Sequence, residues 1–402
     1  MKNLNRYVVA VSGVVLHLML GSTYAWSVFR NPIISETGWD ISSVSFAFSL
    51  AIFCLGMSAA FMGHLVERFG PRIMGMISAI LYGAGNVLTG LAIETQQLWL
   101  LYVAYGILGG IGLGSGYITP VSTIIKWFPD RRGFAIMGFG FASLVTSPLA
   151  QSLLIRIGVG KTFYILGLVY FFVMMIASQF IKQPPQEKIT ILTHDGKKNA
   201  MNSQIITGLK ANVAIKSKTF YIIWLTLFIN ISCGLGLISA ASPMAQDLAG
   251  YSAESAALLV GVLGIFNGFG RLLWASLSDY IGRPLTFIIL FIVNFIMTSS
   301  LFLSFNAIVF AIAMSILMTC YGAGFSLLPA YLSDIFGTKE LATLHGYSLT
   351  AWAIAGLFGP LLLSKTYSWG NSYQLTLMVF GFLFLFGLLL SLYLRKLTTK
   401  VV

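Results

Sequence analysis

Charged side chains make up only 9% of this 402-residue chain, whereas a soluble domain carries roughly 25%. So few polar groups cannot cover a globule in water. Acidic residues are the scarcer sign, with 12 Asp and Glu against 24 Lys and Arg. Cysteine is nearly absent. Cys54, Cys233 and Cys320 each lie inside an apolar run, which argues against a disulfide framework or a cysteine metal site. No metal-ligand cluster, nucleophile–base pair or phosphate loop appears. The glycine-rich stretches lie within apolar segments, so they are not nucleotide fingerprints. These absences argue against an enzyme and call for no cofactor and no metal.

What the chain does have is length in its apolar runs. Hydrophobic residues reach 57%, in runs longer than twenty residues, which is helix length for a bilayer about 30 Å thick. Lipid admits only helices and closed barrels, and barrel strands would be shorter and strictly alternating. The pattern predicts an all-α membrane protein with spans at 7–29, 41–64, 73–93, 98–126, 133–156, 162–181, 219–243, 254–277, 285–304, 307–332, 342–363 and 373–394. Lys2 and Arg6 precede the first span, but that span is too long for the apolar core of a signal peptide.

The net charge of +12 follows topology and does not indicate nucleic acid. With both termini cytoplasmic, nineteen of the 24 basic residues fall inside or at inner ends. Arg30, Arg156, Lys161 and Lys365 fall outside. That asymmetry fits the positive-inside rule and predicts a monomer in the plasma (cytoplasmic) membrane.

Residues 182–218 form the one long polar stretch, with seven Lys against Glu187 and Asp195. Such a basic linker sits well against anionic headgroups. It divides the chain into six-span units at 1–181 and 219–402. The units repeat each other. Gly63-His64-Leu65-Val66-Glu67-Arg68-Phe69-Gly70-Pro71-Arg72 follows the second span, and Ala275-Ser276-Leu277-Ser278-Asp279-Tyr280-Ile281-Gly282-Arg283-Pro284 follows the eighth. Gly114, Gly116 and Pro120 run into Trp127-Phe128 much as Gly322, Gly324 and Pro329 run into Ile335-Phe336. Two parallel repeats predict two pseudo-symmetric bundles that rock about a site between them.

Arg271 is the one charge that falls inside a span. The run Leu258–Leu277 holds no other ionisable group, and no Asp or Glu lies at that depth in any span. A cation there costs about 2.5–3.5 kcal/mol on insertion scales and usually marks a substrate pathway. With no protein carboxylate at that depth, the ligand is expected to bring the negative charge. The alternative is snorkelling, since Arg271 lies about 9 Å along its helix from the inner end. Asn267 sits one turn earlier on the same face.

The repeated loop resembles the gating motif Gly-x-Leu-x-Asp-x-x-Gly-Arg of the major facilitator superfamily. Gly63, Glu67, Arg68, Gly70 and Arg72 fill or flank the first copy, with Glu67 in the acidic place and Pro71 displacing the arginine. Asp279, Gly282 and Arg283 stand in the second, where Ala275 replaces the leading glycine. The resemblance implies that the acidic residues bond helix ends and basic groups across a gate. Four further stretches are similar to the bacterial oxalate–formate antiporters and the related monocarboxylate transporters. They are Gly21-Ser22-Thr23-Tyr24-Ala25-Trp26-Ser27, Lys126-Trp127-Phe128-Pro129-Asp130-Arg131-Arg132-Gly133, Asn267-Gly268-Phe269-Gly270-Arg271 and Ser333-Asp334-Ile335-Phe336-Gly337-Thr338.

That resemblance implies that Arg271 holds a substrate carboxylate, as suits a planar fork with two parallel donors. It also marks two departures. Proton-coupled monocarboxylate transporters carry an aspartate where Asn267 stands, and Asn cannot titrate. The oxalate exchanger has a mid-helix lysine where Trp352 stands, so this chain offers one cation where a dianion needs two. A dianion would leave one charge unpaired in a low-dielectric site, which favours a monoanion such as formate, lactate or pyruvate. By the same analogy Tyr24, Trp26, Tyr117, Tyr321 and Phe325 face the site, where tyrosine hydroxyls donate to carboxylate oxygens. Histidine is the side chain whose ordinary pKa lies near neutral pH, which makes His17 and His345 candidate proton carriers, or else packing residues. The glycines of the fourth, fifth, eighth and eleventh spans let helices approach and slide.

These readings make exchange of small carboxylates the first hypothesis and proton symport the second. Drug efflux ranks lower because no span holds a carboxylate. A non-transporting sensor ranks lower because the 182–218 stretch is a poor output domain.

Overall fold

The computed structural model describes residues 6–127, 137–183, 208–303, 306–337 and 340–398. Among these, twelve long helices account for nearly all of the fold: α1 (Arg6–Thr37), α2 (Ile41–Phe61), α3 (Pro71–Glu94), α4 (98–127), α5 (Met137–Ile157), α6 (Val159–Phe180), α7 (Lys218–Ser239), α8 (Ala253–Ile281), α9 (Arg283–Leu303), α10 (Ala307–Phe336), α11 (Leu341–Gly370) and α12 (Gln374–Thr398). After α7 the chain continues as the short helix Ala241–Ala249. No strand ladder is present among the described residues beyond an isolated bridge between Gly208 and Gly337.

Local chemistry sets the helix ends. Asp40 caps α2 by accepting from the Ser43 amide at 2.9 Å, and bonds from the Ser43 hydroxyl and amide hold its carboxyl below the usual carboxylate value. Ser217, Ser252 and Asn306 cap α7, α8 and α10 in the same way. Gly38 ends α1 with φ +73°, a left-handed conformation that suits glycine.

The packing repeats with a step of six. The pairs α1–α4, α1–α5, α1–α6, α2–α4, α3–α4 and α3–α6 have counterparts in α7–α10, α7–α11, α7–α12, α8–α10, α9–α10 and α9–α12. The main crossings between halves are α2–α11 and α5–α8, which exchange under the same operation. The two bundles are therefore related by a pseudo-two-fold axis. At the α2–α11 crossing Gly56 lies so close to Ala353 that an added Cβ would fall 2.7 Å from its backbone.

The sides are arranged for lipid outside and polar groups within. Phe172, Ile176, Leu303 and Phe382 are exposed on the periphery. Ser78, Thr89, Thr119, Thr226 and Ser348 are fully buried, and their hydroxyls bond helix carbonyls, as Ser78 does with Gly112 at 2.6 Å. A hydroxyl that bonds backbone can be buried between helices without an orphan donor.

Three sequence expectations shift. The first span does not end at Phe29: α1 runs through Arg30 to Thr37, and Arg30 is only 2% exposed. Arg271 is therefore not the one buried cation of the helices. The polar stretch 182–218 is docked at its far end, where the Leu209 amide bonds the Phe336 carbonyl and Glu340 accepts from the Ala211 amide at 2.7 Å. The remainder, 184–207, lies outside the described residues.

Candidate functional site

Among the described residues, two helices leave regular α geometry, both in the N-terminal half. In α1, Gly21–Ala25 is a 3₁₀ segment, and in α4, Tyr102–Gly109 is π-helical. Such irregular turns are frequent at functional sites. They pack together: the Thr23 hydroxyl bonds the Tyr105 hydroxyl at 3.2 Å. The 3₁₀ turn carries Tyr24, and its hydroxyl bonds that of Tyr321 on α10 at 3.0 Å. That bond bridges the two halves.

From Tyr321 an aromatic ring of contacts runs back to the N-terminal half. Tyr321 meets Phe325 edge-on with centroids 5.5 Å apart, Phe325 meets Trp352 at 4.8 Å, and Trp352 meets Tyr117 on α4 at 5.3 Å. Tyr117 stacks on His17 of α1 at 5.6 Å. Arg271 closes the arrangement from α8, with its Cζ 5.0 Å from the Phe325 centroid. A desolvated cation over an aromatic face gains about 2 kcal/mol. The guanidinium also interacts with the hydroxyls of Tyr24 and Tyr117, and its charge acts on Tyr321.

The α8 sequence explains why Arg271 turns inward. Val260, Leu263, Asn267, Gly270, Arg271, Trp274 and Ser278 are buried at helical spacing, while Phe266, Phe269 and Leu273 face outward. Gly270 permits close approach to α10, since a Cβ there would stand 2.4 Å from Thr319 backbone. One turn on, Trp274 donates to the Thr319 hydroxyl at 3.2 Å and fixes the register. Arg271 is 4% exposed, so its guanidinium does not snorkel to the headgroups.

Tyr24, Tyr117, Tyr321, Phe325, Trp352 and Arg271 thus meet. The other expected residues do not all join them. Trp26 is packed inside the N-terminal half, against Tyr105 at 4.4 Å and Phe48 at 6.1 Å. Asn267 is fully buried against Gly322 of α10, and its amide has no hydrogen-bond partner among the described residues. His345 is half-buried near the start of α11, about two turns before Trp352.

The loop motif is built as two local knots. Gly70 and Gly282 hold φ of +82° and +85° between successive helices. Gly63 and Arg68 belong to the short helix Gly63–Phe69, where Arg68 lies over the Phe69 ring. Arg72 donates to Gln179 of α6. The Glu67 side chain lies outside the described residues. Arg283 pairs with Asp279 at 2.5 Å and with Asp334 at 3.6 Å and donates to Ser278, tying the α8–α9 turn to the end of α10.

Sequence reasoning missed a second cluster. Arg30 donates to the Tyr373 hydroxyl at 3.5 Å, Tyr373 packs on Tyr367 at 4.5 Å, and Tyr367 donates to Asp247 at 3.4 Å. Tyr373 is buried at the start of α12, so its hydroxyl accepts from Arg30 away from water. This cluster and the Ser42–Ser364 hydroxyl contact at 3.3 Å join the halves on the face away from Arg6 and Thr398. Losing a hydrogen bond to a buried charge costs about 1.5–3 kcal/mol. Tyr373→Phe is therefore expected to lower the melting temperature of the purified protein, and an unchanged melting curve would show that the bond contributes nothing.

Among the described residues, twelve long apolar helices in two halves related by a pseudo-two-fold axis, with side chains bridging them, form the architecture of a membrane transporter. The chain belongs to the Major Facilitator Superfamily, whose sequence profile matches residues 11–360. It is similar to the oxalate:formate antiporter of Oxalobacter formigenes, 29% identical over 92% of this chain and 88% of that protein. It is also similar to the apicoplast pyruvate carrier 1 of Toxoplasma gondii, 21% identical over 83% of this chain and 79% of the other. A crystal structure of a D-xylose–proton symporter shares the fold with a TM-score of 0.72, covering 97% of each chain at 16% identity.

Proposed function

We propose that this superfamily transporter carries small organic carboxylates, monoanions such as formate, lactate or pyruvate in preference to dianions. The observation that carries this reading is the buried Arg271 guanidinium, set over Phe325 and beside the hydroxyls of Tyr24 and Tyr117. Its fork donates two parallel hydrogen bonds to one carboxylate, and the tyrosines donate to the same oxygens. Every acidic residue lies in sequence at a helix end or between helices, so an anion at Arg271's depth comes from outside the chain. The relatives, one an oxalate:formate antiporter and one a pyruvate carrier, support the same substrate class.

The second buried guanidinium does not change the charge count at the site. Arg30 acts on Tyr367 and Tyr373, whereas Arg271 acts on Tyr24, Tyr117 and Tyr321. The two sets share no residue, which supports Arg271 as the site's one fixed cation.

In this reading the units 1–181 and 219–402 rock about the Tyr24–Tyr321 bridge, with 182–218 as a cytoplasmic linker and both termini cytoplasmic. The distribution of basic residues supports the plasma membrane orientation. Reorienting without an anion carries net positive charge through the low-dielectric interior, which favours exchange over net flow.

Thermal stabilisation across a panel of mono- and dicarboxylates tests the assignment. Monocarboxylates are expected to raise the melting temperature in proportion to the logarithm of their concentration, and dicarboxylates to have little effect. Stabilisation by dicarboxylates alone would overturn the one-cation argument.

A further inference from the structure

The carboxylate site has a titratable neighbour that anion binding alone does not use. His17 is fully buried in α1, eleven residues from Arg6 and thirteen from Arg30, the arginines of its own helix. Its Nε2 lies 3.0 Å from the Tyr117 carbonyl, and its ring stacks on the Tyr117 ring at 5.6 Å. A carbonyl oxygen only accepts, so Nε2 carries the hydrogen and Nδ1 is the atom that takes up a further proton. The other end of Tyr117 interacts with Arg271. One side chain thus joins an imidazole to the guanidinium of the carboxylate site.

The surroundings decide what a proton on His17 does. The titratable side chain that faces it from α4 is Tyr117. Further along α1 the nearest titratable group is Tyr24, and Ser22 next to it bonds Tyr82 of α3, which stacks on Tyr170 of α6. The charged residues of the packed helices are Arg6 and Arg30 on α1, Lys126 on α4, Arg156 on α5 and Lys161 on α6, and all but Arg30 lie near helix ends. No carboxylate occurs on α1 between Arg6 and Phe29, or anywhere on α4, α5 or α6. Without an anion, a proton on His17 adds a like charge near Arg271 in a low-dielectric interior, which is unfavourable. A carboxylate on Arg271 cancels that repulsion and attracts the proton.

We infer that His17 is a proton-coupling residue: it takes up a proton at Nδ1 when a carboxylate binds Arg271, so that anion and proton cross together. The inference rests on the carboxylate reading above. Linkage makes the effect reciprocal, so a proton on His17 strengthens anion binding by the factor with which the anion strengthens protonation. Affinity therefore rises as pH falls.

The test is calorimetric titration of the full-length purified protein with pyruvate, which stays ionised across the pH range used. Titrations in two buffers of different ionisation enthalpy give the protons taken up per anion bound. For the wild type the expected result is uptake approaching one proton, with affinity rising up to about tenfold for each unit fall in pH. His17→Gln is expected to bind pyruvate with no proton uptake and a flat pH profile, while His345→Gln keeps the wild-type profile. Wild-type binding without proton uptake would overturn the inference and leave the carboxylate reading standing, and this outcome needs no variant to fold. Undiminished uptake in His17→Gln would also overturn it. No pyruvate binding by the wild type at any pH, with no other monocarboxylate binding either, would remove both.

Discussion

Arg271→Gln is expected to lower monocarboxylate affinity by about 30-fold to several-thousandfold, and to reduce transport in proteoliposomes to background. The range corresponds to the roughly 2–5 kcal/mol lost when one partner of a buried, hydrogen-bonded charge pair is removed. Glutamine keeps hydrogen-bonding capacity and much of the length but loses the charge and the two-pronged fork. Arg271→Lys keeps the charge as a point and is expected to fall between. The stability readout separates this role from a structural one. A buried charge carries a desolvation cost of its own, so Arg271→Gln is expected to melt no lower than the wild type without substrate. It should lose the substrate-induced rise. A variant that melts much lower and keeps its pyruvate affinity would assign Arg271 to packing.

Trp352→Lys is expected to change which anions bind. Trp352 is fully buried, edge-on to Phe325 and to Tyr117, and Arg271 lies over the same Phe325. An ammonium from this position would give the site a second cation across the phenyl ring. A dicarboxylate that gains one charge-assisted hydrogen bond of about 1.5–3 kcal/mol should bind roughly 10- to 150-fold more tightly than it does to the wild type. Monocarboxylates should gain much less. Trp352→Met removes the ring without adding charge and serves as the control. Equal dicarboxylate gains in the two variants would mean that space, not charge, had excluded the dianion.

The architecture was legible because lipid restricts it so strongly. Apolar runs of helix length, the basic asymmetry and the paired loop motifs led to twelve helices in two similar halves, and the contacts between helices repeat with that period. Arg271 stood out for the same reason, as a charge where charge is expensive.

What the sequence hid was direction. Tyr24 and Trp26 are two residues apart, which in a helix puts them on nearly opposite faces, yet the motif that contains both offered no way to choose. The structure turns Tyr24 to Tyr321 and Trp26 to Tyr105. The 3₁₀ turn beneath Tyr24 shifts the helical phase, so simple periodicity misleads at that point. Arg30 stays hidden in the sequence because a charge ordinarily marks the end of a span. The helix continues past it, and Tyr373, nearly 350 residues away in the chain, takes its hydrogen bond. Similarly, nothing local to His17 announces that its ring rests on Tyr117.

The most direct measurement is a crystal structure of the protein with a bromine-labelled monocarboxylate such as 2-bromopropionate, read by its anomalous signal. One peak is expected between α1, α8 and α10, with the carboxylate within hydrogen-bonding distance of Arg271. A peak confined to the lipid-facing surface, or a carboxylate bound in the interior but away from that guanidinium, would contradict it.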